Sequence, residues 1–275
     1  MKFHKYQSLG NCYVVVSPEH WEGQHVEDIS LLADARWGIG FDGIIIGPWI
    51  EKNNYGIRIY NNDGSECLLS GNALRIFSYH LKKTKQTDKD IISLKMLSTG
   101  RHVTTTCLPN EYVEVNIGKF SHDMSSFIRD SDLNIDGMKY AVESEHYVTF
   151  GINLSNPHLI IDGIPKGGKN QIIKVGQHIG TSKNFPHKSN VHFVEVKDRK
   201  NIYLESWERG AGYTLSSSNG AGAAVAHYYT HTLLDDEVLV EMPGGTLLVK
   251  IDDEKNIFLT GKVESILEGN LYENC

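Results

Sequence analysis

Cysteine is scarce. The chain has four in 275 residues, Cys12, Cys67, Cys107 and Cys275, and no two stand at CxxC spacing. That spacing rules out a thiol metal knuckle and a dithiol redox motif, and predicts reduced thiols. Long apolar runs are also missing. "GIIIG" at Gly43 to Gly47 is the size of a strand, far short of the roughly 18 residues a membrane-spanning helix needs. The opening "MKFHKYQSLG" lacks the apolar stretch of a secretory signal. Basic charge is in deficit, with 27 Lys and Arg against 34 Asp and Glu and a net charge of −7, so no footprint for nucleic acid stands out. These absences predict a cytoplasmic globular protein whose partners are neither membrane nor nucleic acid.

What is present is strand-like. Ten short runs are rich in β-branched and aromatic residues: "CYVVVS", "GIIIGPWI", "GIRIYN", "YVEVNIG", "HLIIDGI", "NVHFVEV", "NIYLESW", "VLVEM", "TLLVKI" and "NIFLTG". Many alternate apolar with polar, and turn chemistry such as "NNDG" at Asn61 to Gly64 and "MPGG" at Met242 to Gly245 punctuates them. Helical spacing is confined to Val26–Gly38, Asn72–Lys83 and Ala221–Leu233.

Two of these helices share an approach. "LSGNALRIF" from Leu69 and "LSSSNGAGAAVA" from Leu215 each set a serine at a Gly/Asn step before a small or apolar helix. The order strand, tight turn, serine and helix therefore occurs twice, which suggests two related β-rich halves, each wrapped on one helix. Such a helix start exposes unpaired backbone N–H groups and the positive end of the helix dipole, a place for a carboxylate or phosphate. The plainer role for Ser70 and Ser217 is that of N-caps.

Other polar landmarks are individually unspecific: Asn11 in "LGN", Asn61 in "YNNDGSE", Asn156 in "SNPH", Asn190 in "KSNVHF", and Glu208 with Arg209 in "WERGAG". "GIPKGGKN" (Gly163 to Asn170) matches P-loop spacing up to the lysine, then places Asn170 where Ser or Thr should bind Mg²⁺, and no well-capped helical pattern is expected after it. His227 and His231 in "HYYTH" lie one helical turn apart, without an intervening Glu or an obvious third ligand, so packing is the expected role and no metal is expected. "SSSNG" lacks the GxSxG spacing of a hydrolase.

Taken in order, these landmarks resemble the diaminopimelate epimerases, amino-acid racemases that work without pyridoxal phosphate. The similarity runs through "KYQSLGN", "GFDG", "NNDGSE…SGN", "SNPH", "NFPHKSNVHF", "ERGAGYT…SSSNGAG" and "MPGG". The nine-residue steps from Asn61 to Ser70 and from Glu208 to Ser217 fit the family pattern. The resemblance implies an α+β fold of two pseudo-symmetric halves, each a curled mixed β-sheet around a central helix, with the active site in the cleft between them. Residues 1–117 with a returning segment 264–275 form one half, and residues 118–263 the other. It also implies that no cofactor is used. By family motif, Asn11 and Glu208 lie near the reacting carbon. Gly71 with Asn72, and Ser218 with Asn219, offer backbone N–H groups to the reacting carboxylate. Asn61, Asn156, Asn190 and Arg209 match residues that hold the distal end of the amino acid.

The departure from the pattern is chemical. The family uses two cysteines as acid and base, and thiols suit that work because their pKa of about 8.5 can be lowered at a helix N-terminus. This chain has Ser70 and Ser217 at those positions. A serine needs a partner base, and the motifs imply no nearby histidine. Cys12 and Cys67 lie close enough in sequence to raise the idea of a displaced thiol. The surroundings differ as well: family members commonly carry Gly at 218, Cys at 222, Asp at 12 and often Gln near Gly43. Three readings follow: an epimerase with its thiols deliberately replaced, a natural relative of altered activity, or an amino-acid-binding protein without turnover. The drift around the serines favours the natural relative. The expected ligand is a small amino acid with a polar second end, such as diaminopimelate, and the expected assembly is compatible with a homodimer.

Overall fold

The computed structural model describes residues 1–22, 25–51, 54–130 and 133–271. Cys275 lies outside the described residues, while Cys12, Cys67 and Cys107 carry reduced thiols. The chain divides into two compact units, Met1–Asn116 with the segment from Thr260 on, and Ile117–Leu259.

The elements begin β1 (Lys2–Ser8), β2 (Asn11–Val16), α1 (Pro18–Trp21), α2 (Ile29–Ala33), β3 (Gly43–Glu51) and β4 (Asn54–Asn61). Then come α3 (Gly71–Lys83), β5 (Ile91–Met96), β6 (His102–Cys107), β7 (Tyr112–Lys119), β8 (Met138–Val142) and β9 (Glu145–Asn153). β10 (Pro157–Asp162), α4 (Gly168–Gly180), β11 (Asn190–Asp198), β12 (Asn201–Glu208) and β13 (Gly212–Thr214) follow. The chain closes with α5 (Ser218–Thr230), β14 (Glu237–Met242), β15 (Gly245–Ile251), β16 (Asn256–Lys262) and β17 (Glu264–Asn270).

All ten runs read as strands in the sequence are strands. Pro243 and Gly244 make the two-residue hairpin of "MPGG", with Met242 paired to Gly245. Asn61 and Ser65 close the "NNDG" turn, where Gly64 takes φ of 83°.

The doubled pattern is a doubled topology. In the first unit β1 runs antiparallel to β2, β2 parallel to β3, and β3 antiparallel to β4. After α3, β4 pairs parallel with β5 and β5 antiparallel with β6. The second unit repeats this with β9, β10, β11 and β12, then α5, then β14 and β15. Each parallel step needs a crossover. α2 and α4 occupy one crossover of each unit, and α3 and α5 the other. Each unit is thus a mixed sheet with a 13-residue helix on one face, the α+β fold expected. β17 returns to pair antiparallel with β1.

Strand alternation explains what each face carries. Val14 and Val16 of β2 and Ile44 and Ile46 of β3 join Ile29, Leu32 and Phe41 in a core on the α2 side of the first unit. Their neighbours Val15 and Ile45 are also buried, on the α3 side. Burial on both faces is why "GIIIG" reads as an unbroken apolar run. In the second unit Leu159, Ile161, Val191, Phe193 and Trp207 pack with Ile172, Val175 and Ile179 of α4. The intervening residues, His158, His192 and Ser206, are buried on the other face, against which α5 packs.

Two expectations about helices are corrected. A helix does follow "GIPKGGKN": α4 begins at Gly168, after Gly167 in the left-handed region at φ of 109°. Its buried residues include Gly176 and Gly180, whose missing side chains make room for Trp207, so the apolar stripe is interrupted in the sequence. The helix read over Val26–Gly38 is shorter, a 3₁₀ turn at Val26–Asp28 followed by α2. After Ala33 the chain turns back, and Ile39 and Gly40 both donate to the Leu32 carbonyl.

A Cβ on Gly176 would lie 2.3 Å from the Cβ of Trp207, a position no rotamer change relieves. Gly176→Ala is therefore expected to destabilise the protein by about 1–3 kcal/mol, despite the better helix propensity of alanine. Urea denaturation monitored by Trp fluorescence measures it.

Candidate functional site

The two serines singled out in the sequence occupy nearly identical backbone positions. Ser70 (φ −134°, ψ 115°) caps α3 and accepts from the Ala73 N–H at 3.3 Å. Ser217 (φ −130°, ψ 103°) caps α5 and accepts from the Gly220 N–H at 3.2 Å. The residues that follow, Gly71 and Asn72 in one unit and Ser218 and Asn219 in the other, are buried. Each unit thus ends a sheet beside a buried helix N-terminus, a local concentration of N–H donors suited to an anion.

The sheet register extends the repeat to residues around each cap. In the first unit Tyr13 stands opposite Gly43, and Gly43 opposite Asn61. In the second, His158 stands opposite Asn190. Asn11 and Asn156 precede Tyr13 and His158 by two residues, and each follows a left-handed residue, Gly10 at φ of 76° and Ser155 at φ of 67°. Tyr13 and His158 are therefore counterparts, as are Asn11 and Asn156. Asn61 and Glu208 are likewise counterparts, each ending its strand nine residues before its serine.

In the first unit the Tyr13 hydroxyl lies 3.1 Å from Ser70 Oγ. The buried Tyr13 ring fills the space beside Gly43, where an added Cβ would meet Tyr13 Cε1 at 2.4 Å. A side chain at position 43 and the tyrosine exclude each other, which accounts for glycine there. The Asn61 side chain donates to Ser65 Oγ at 2.9 Å within its own turn. The Asn72 side chain accepts from the buried Arg75 guanidinium, which also donates to Ser8 Oγ at 3.1 Å. Burial pushes that guanidinium's pKa down to about 9. Asn11 is half-buried at the start of β2.

Cys12 and Cys107 are both held towards the thiol form. Cys12 shares the α2-side face of β2 with Val14 and Val16, and its N–H donates to Asp42 Oδ2 at 2.7 Å. Burial and then the Asp42 charge push its thiol upward, away from thiolate. Cys107 is pushed to about 11, mainly by burial. Cys67 is half-buried, its N–H bonded to the Ile59 carbonyl.

In the second unit Glu208 accepts from Thr214 Oγ1 at 2.6 Å. Asn190 is buried and used at both ends of its amide, accepting from the Arg209 N–H at 3.1 Å and donating to the Pro157 carbonyl at 3.1 Å. It ties Arg209 to the start of β10. Asn156 Oδ1 meets His158 Nε2 at 2.7 Å, and His158 Nδ1 meets His192 Nε2 at 2.9 Å. His192 borders Gly220: a Cβ there would come within 2.2 Å of the ring and 2.7 Å of Ser217 Oγ. A histidine therefore does lie near Ser217, contrary to the sequence expectation. No spacing rule connects residue 192 to residue 217; the contact comes from β11 lying under α5.

Among the described residues no group of three or more His, Cys, Asp or Glu side chains is placed to hold a metal ion, and no helix is long and apolar enough to cross a membrane. His227 and His231 meet edge to face, with His227 stacked on Phe150.

The model of a protein family described as diaminopimelate epimerase matches residues 3–122 and 150–266. "Diaminopimelate epimerase 2" of Nostoc sp. is 34% identical over 98% of this chain and 95% of its own length. A diaminopimelate epimerase of Carboxydothermus hydrogenoformans is 29% identical over 99% of this chain and all of its own. Among solved structures, a hydroxyproline epimerase from Agrobacterium vitis superposes with a TM-score of 0.72 at 12% identity, covering 98% of this chain and 91% of its own. A phenazine biosynthesis protein from Bacillus anthracis superposes at 0.67 and 15% identity, covering 99% of each chain. These two show the fold.

Two outcomes follow. Ser217→Ala removes a cap and is expected to cost about 1 kcal/mol, with Ser217→Asp retaining most of it, as read from denaturation midpoints. Burial holds His192 and His80 down to about 3 and His227 to about 4. The unfolded chain binds protons at these residues below its ordinary pKa of about 6.5 while the folded chain does not. Stability should therefore fall progressively as pH is lowered from about 6.5 towards 3, seen in urea midpoints taken across that range.

Proposed function

The chain belongs to the diaminopimelate epimerase family, and on that premise we propose that it acts at the α-carbon of diaminopimelate or a related amino acid with a second polar end. The reaction is cofactor-independent exchange of the α-proton leading to inversion, in the amino-acid metabolism that supplies lysine. The observation that carries this reading is the repeated helix start, a capping serine followed by buried backbone amides, once in each unit. Such a donor set suits a carboxylate, and withdrawing charge into it acidifies the adjacent carbon–hydrogen bond.

Ser70 and Ser217 stand where the family pattern has thiols, so proton transfer here falls to hydroxyl groups with their neighbours. Ser70 has the Tyr13 phenol as hydrogen-bond partner. A phenol, with an ordinary pKa near 10, is a credible acid or base where an isolated serine is not. Glu208 and Asn11 border the reacting centre. Asn156 and Arg209 hold the distal end, while Asn190 and Asn61 serve the scaffold that presents it. The ligand is a small amino acid, without metal or cofactor.

A second reading, an amino-acid-binding protein without turnover, is favoured by one observation: each serine oxygen already serves as a helix cap. One experiment separates the two. Incubation with LL-diaminopimelate followed by chiral chromatography should show slow conversion by the unaltered chain. Conversion should become at least about 100-fold faster in the Ser70→Cys/Ser217→Cys variant, the scale of acid–base catalysis. Saturable calorimetric binding without conversion by either form would establish the binding protein. Neither binding nor conversion at millimolar ligand would overturn both readings.

A further inference from the structure

The first unit has a cavity of about 680 Å³ walled by β1, β17 and the C-terminal end of α3, the opposite end of that helix from Ser70. Tyr6 lies in its wall, 2% exposed, with its hydroxyl 2.8 Å from His80 Nδ1. His80 is buried beside it.

Donor and acceptor chemistry fixes the hydrogens here. Thr84 Oγ1 lies 2.7 Å from the His80 carbonyl, which only accepts, so the threonine hydroxyl donates there. The threonine oxygen is then left to accept from Gln86 Nε2 at 2.9 Å. The same amide nitrogen lies 3.3 Å from His80 Nε2 and gives it the second hydrogen, so His80 Nε2 is an acceptor. Burial, and then His4, hold His80 down to about 3, so the ring is neutral at pH 7 and carries its hydrogen on Nδ1. His80 therefore donates to Tyr6 Oη. The phenol's own hydrogen finds no acceptor among the described residues. A buried donor left over in a cavity wall points to a ligand.

The charges on the wall give the sign of that ligand. Glu268 faces His4 at 3.5 Å, and Glu19 accepts from its own backbone N–H. Lys2 and Lys83 have no hydrogen-bond or ion-pair partner among the described residues. Val15, Ile266 and Leu267 give the wall an apolar portion.

We propose that this cavity is a second ligand site, one that takes a small organic carboxylate. A carboxylate oxygen accepts the Tyr6 hydrogen, the Lys2 and Lys83 ammonium groups balance the charge, and the carbon body lies on the apolar portion. Such charge-assisted bonds are stronger than neutral ones. The site uses neither capping serine and stands whether or not the chain is an epimerase.

Two measurements on the full chain test it. Long-range ¹H–¹⁵N NMR of ¹⁵N-histidine-labelled protein at neutral pH should show a neutral His80 with its hydrogen on Nδ1. A hydrogen on Nε2 alone, or a charged ring, overturns the proposal. Calorimetry with benzoate should show saturable binding, and benzamide, its uncharged analogue, should bind at least about tenfold more weakly. Backbone amide shifts on adding benzoate should centre on His4, Tyr6 and Thr84. Tyr6→Phe, which keeps the buried ring, and Lys83→Gln, on the surface, should each weaken binding severalfold. Binding that is absent at tens of millimolar, equal for benzamide or inorganic phosphate, indifferent to both variants, or centred on Ser70 or Ser217 overturns the proposal. Benzoate is not an amino acid, so these outcomes leave the epimerase reading to its own test.

Discussion

A serine oxygen bonded to the backbone N–H three residues ahead starts α3 and α5, the helices that cover corresponding sheet faces of the two units, and much else depends on that contact. It fixes where α3 and α5 begin, and so which backbone amides are left unpaired beside the ends of the strands. The first residues of both helices are buried, so those donors are screened little by water. A thiol at the same position would cap weakly and ionise readily; a hydroxyl caps well and ionises reluctantly. In this chain the balance at both positions lies with the cap.

Around each cap, side chains fit in place of one another. Tyr13 fills the volume beside Gly43, His192 the volume beside Gly220, and Trp207 the volume beside Gly176 and Gly180. In each case a glycine yields its Cβ space to an aromatic ring from another strand. Reverting one member of such a pair alone would leave a clash or a void.

The strands were legible because their signals are local: alternation, β-branching and the Pro-Gly and Asn-Asp-Gly turns mark their limits without reference to the rest of the chain. The repeat was legible only in the serine segments, because the cap and the helix after it are contiguous in sequence. α4 was not legible, since Gly176 and Gly180 interrupt its apolar stripe to admit Trp207, which lies 31 and 27 positions further along the chain. Tyr13 beside Ser70 and His192 beside Gly220 were missed for a related reason. Both contacts depend on strand register and on the helix laid across the sheet, which no spacing within one segment encodes. Asn61, Asn72 and Asn190 stood out in the sequence as polar landmarks, and their side chains are bonded to Ser65, Arg75 and Pro157.

The central proposal is that a hydroxyl group at a helix N-terminus, Ser70 with Tyr13 behind it, supports proton transfer at an amino-acid α-carbon. The most direct measurement is ¹H NMR of the unaltered protein with meso-diaminopimelate in D₂O, following the α-proton signal. The account predicts a slow, enzyme-dependent loss of that signal that Tyr13→Phe abolishes. A signal that persists at the enzyme-free rate while the ligand is demonstrably bound would contradict it.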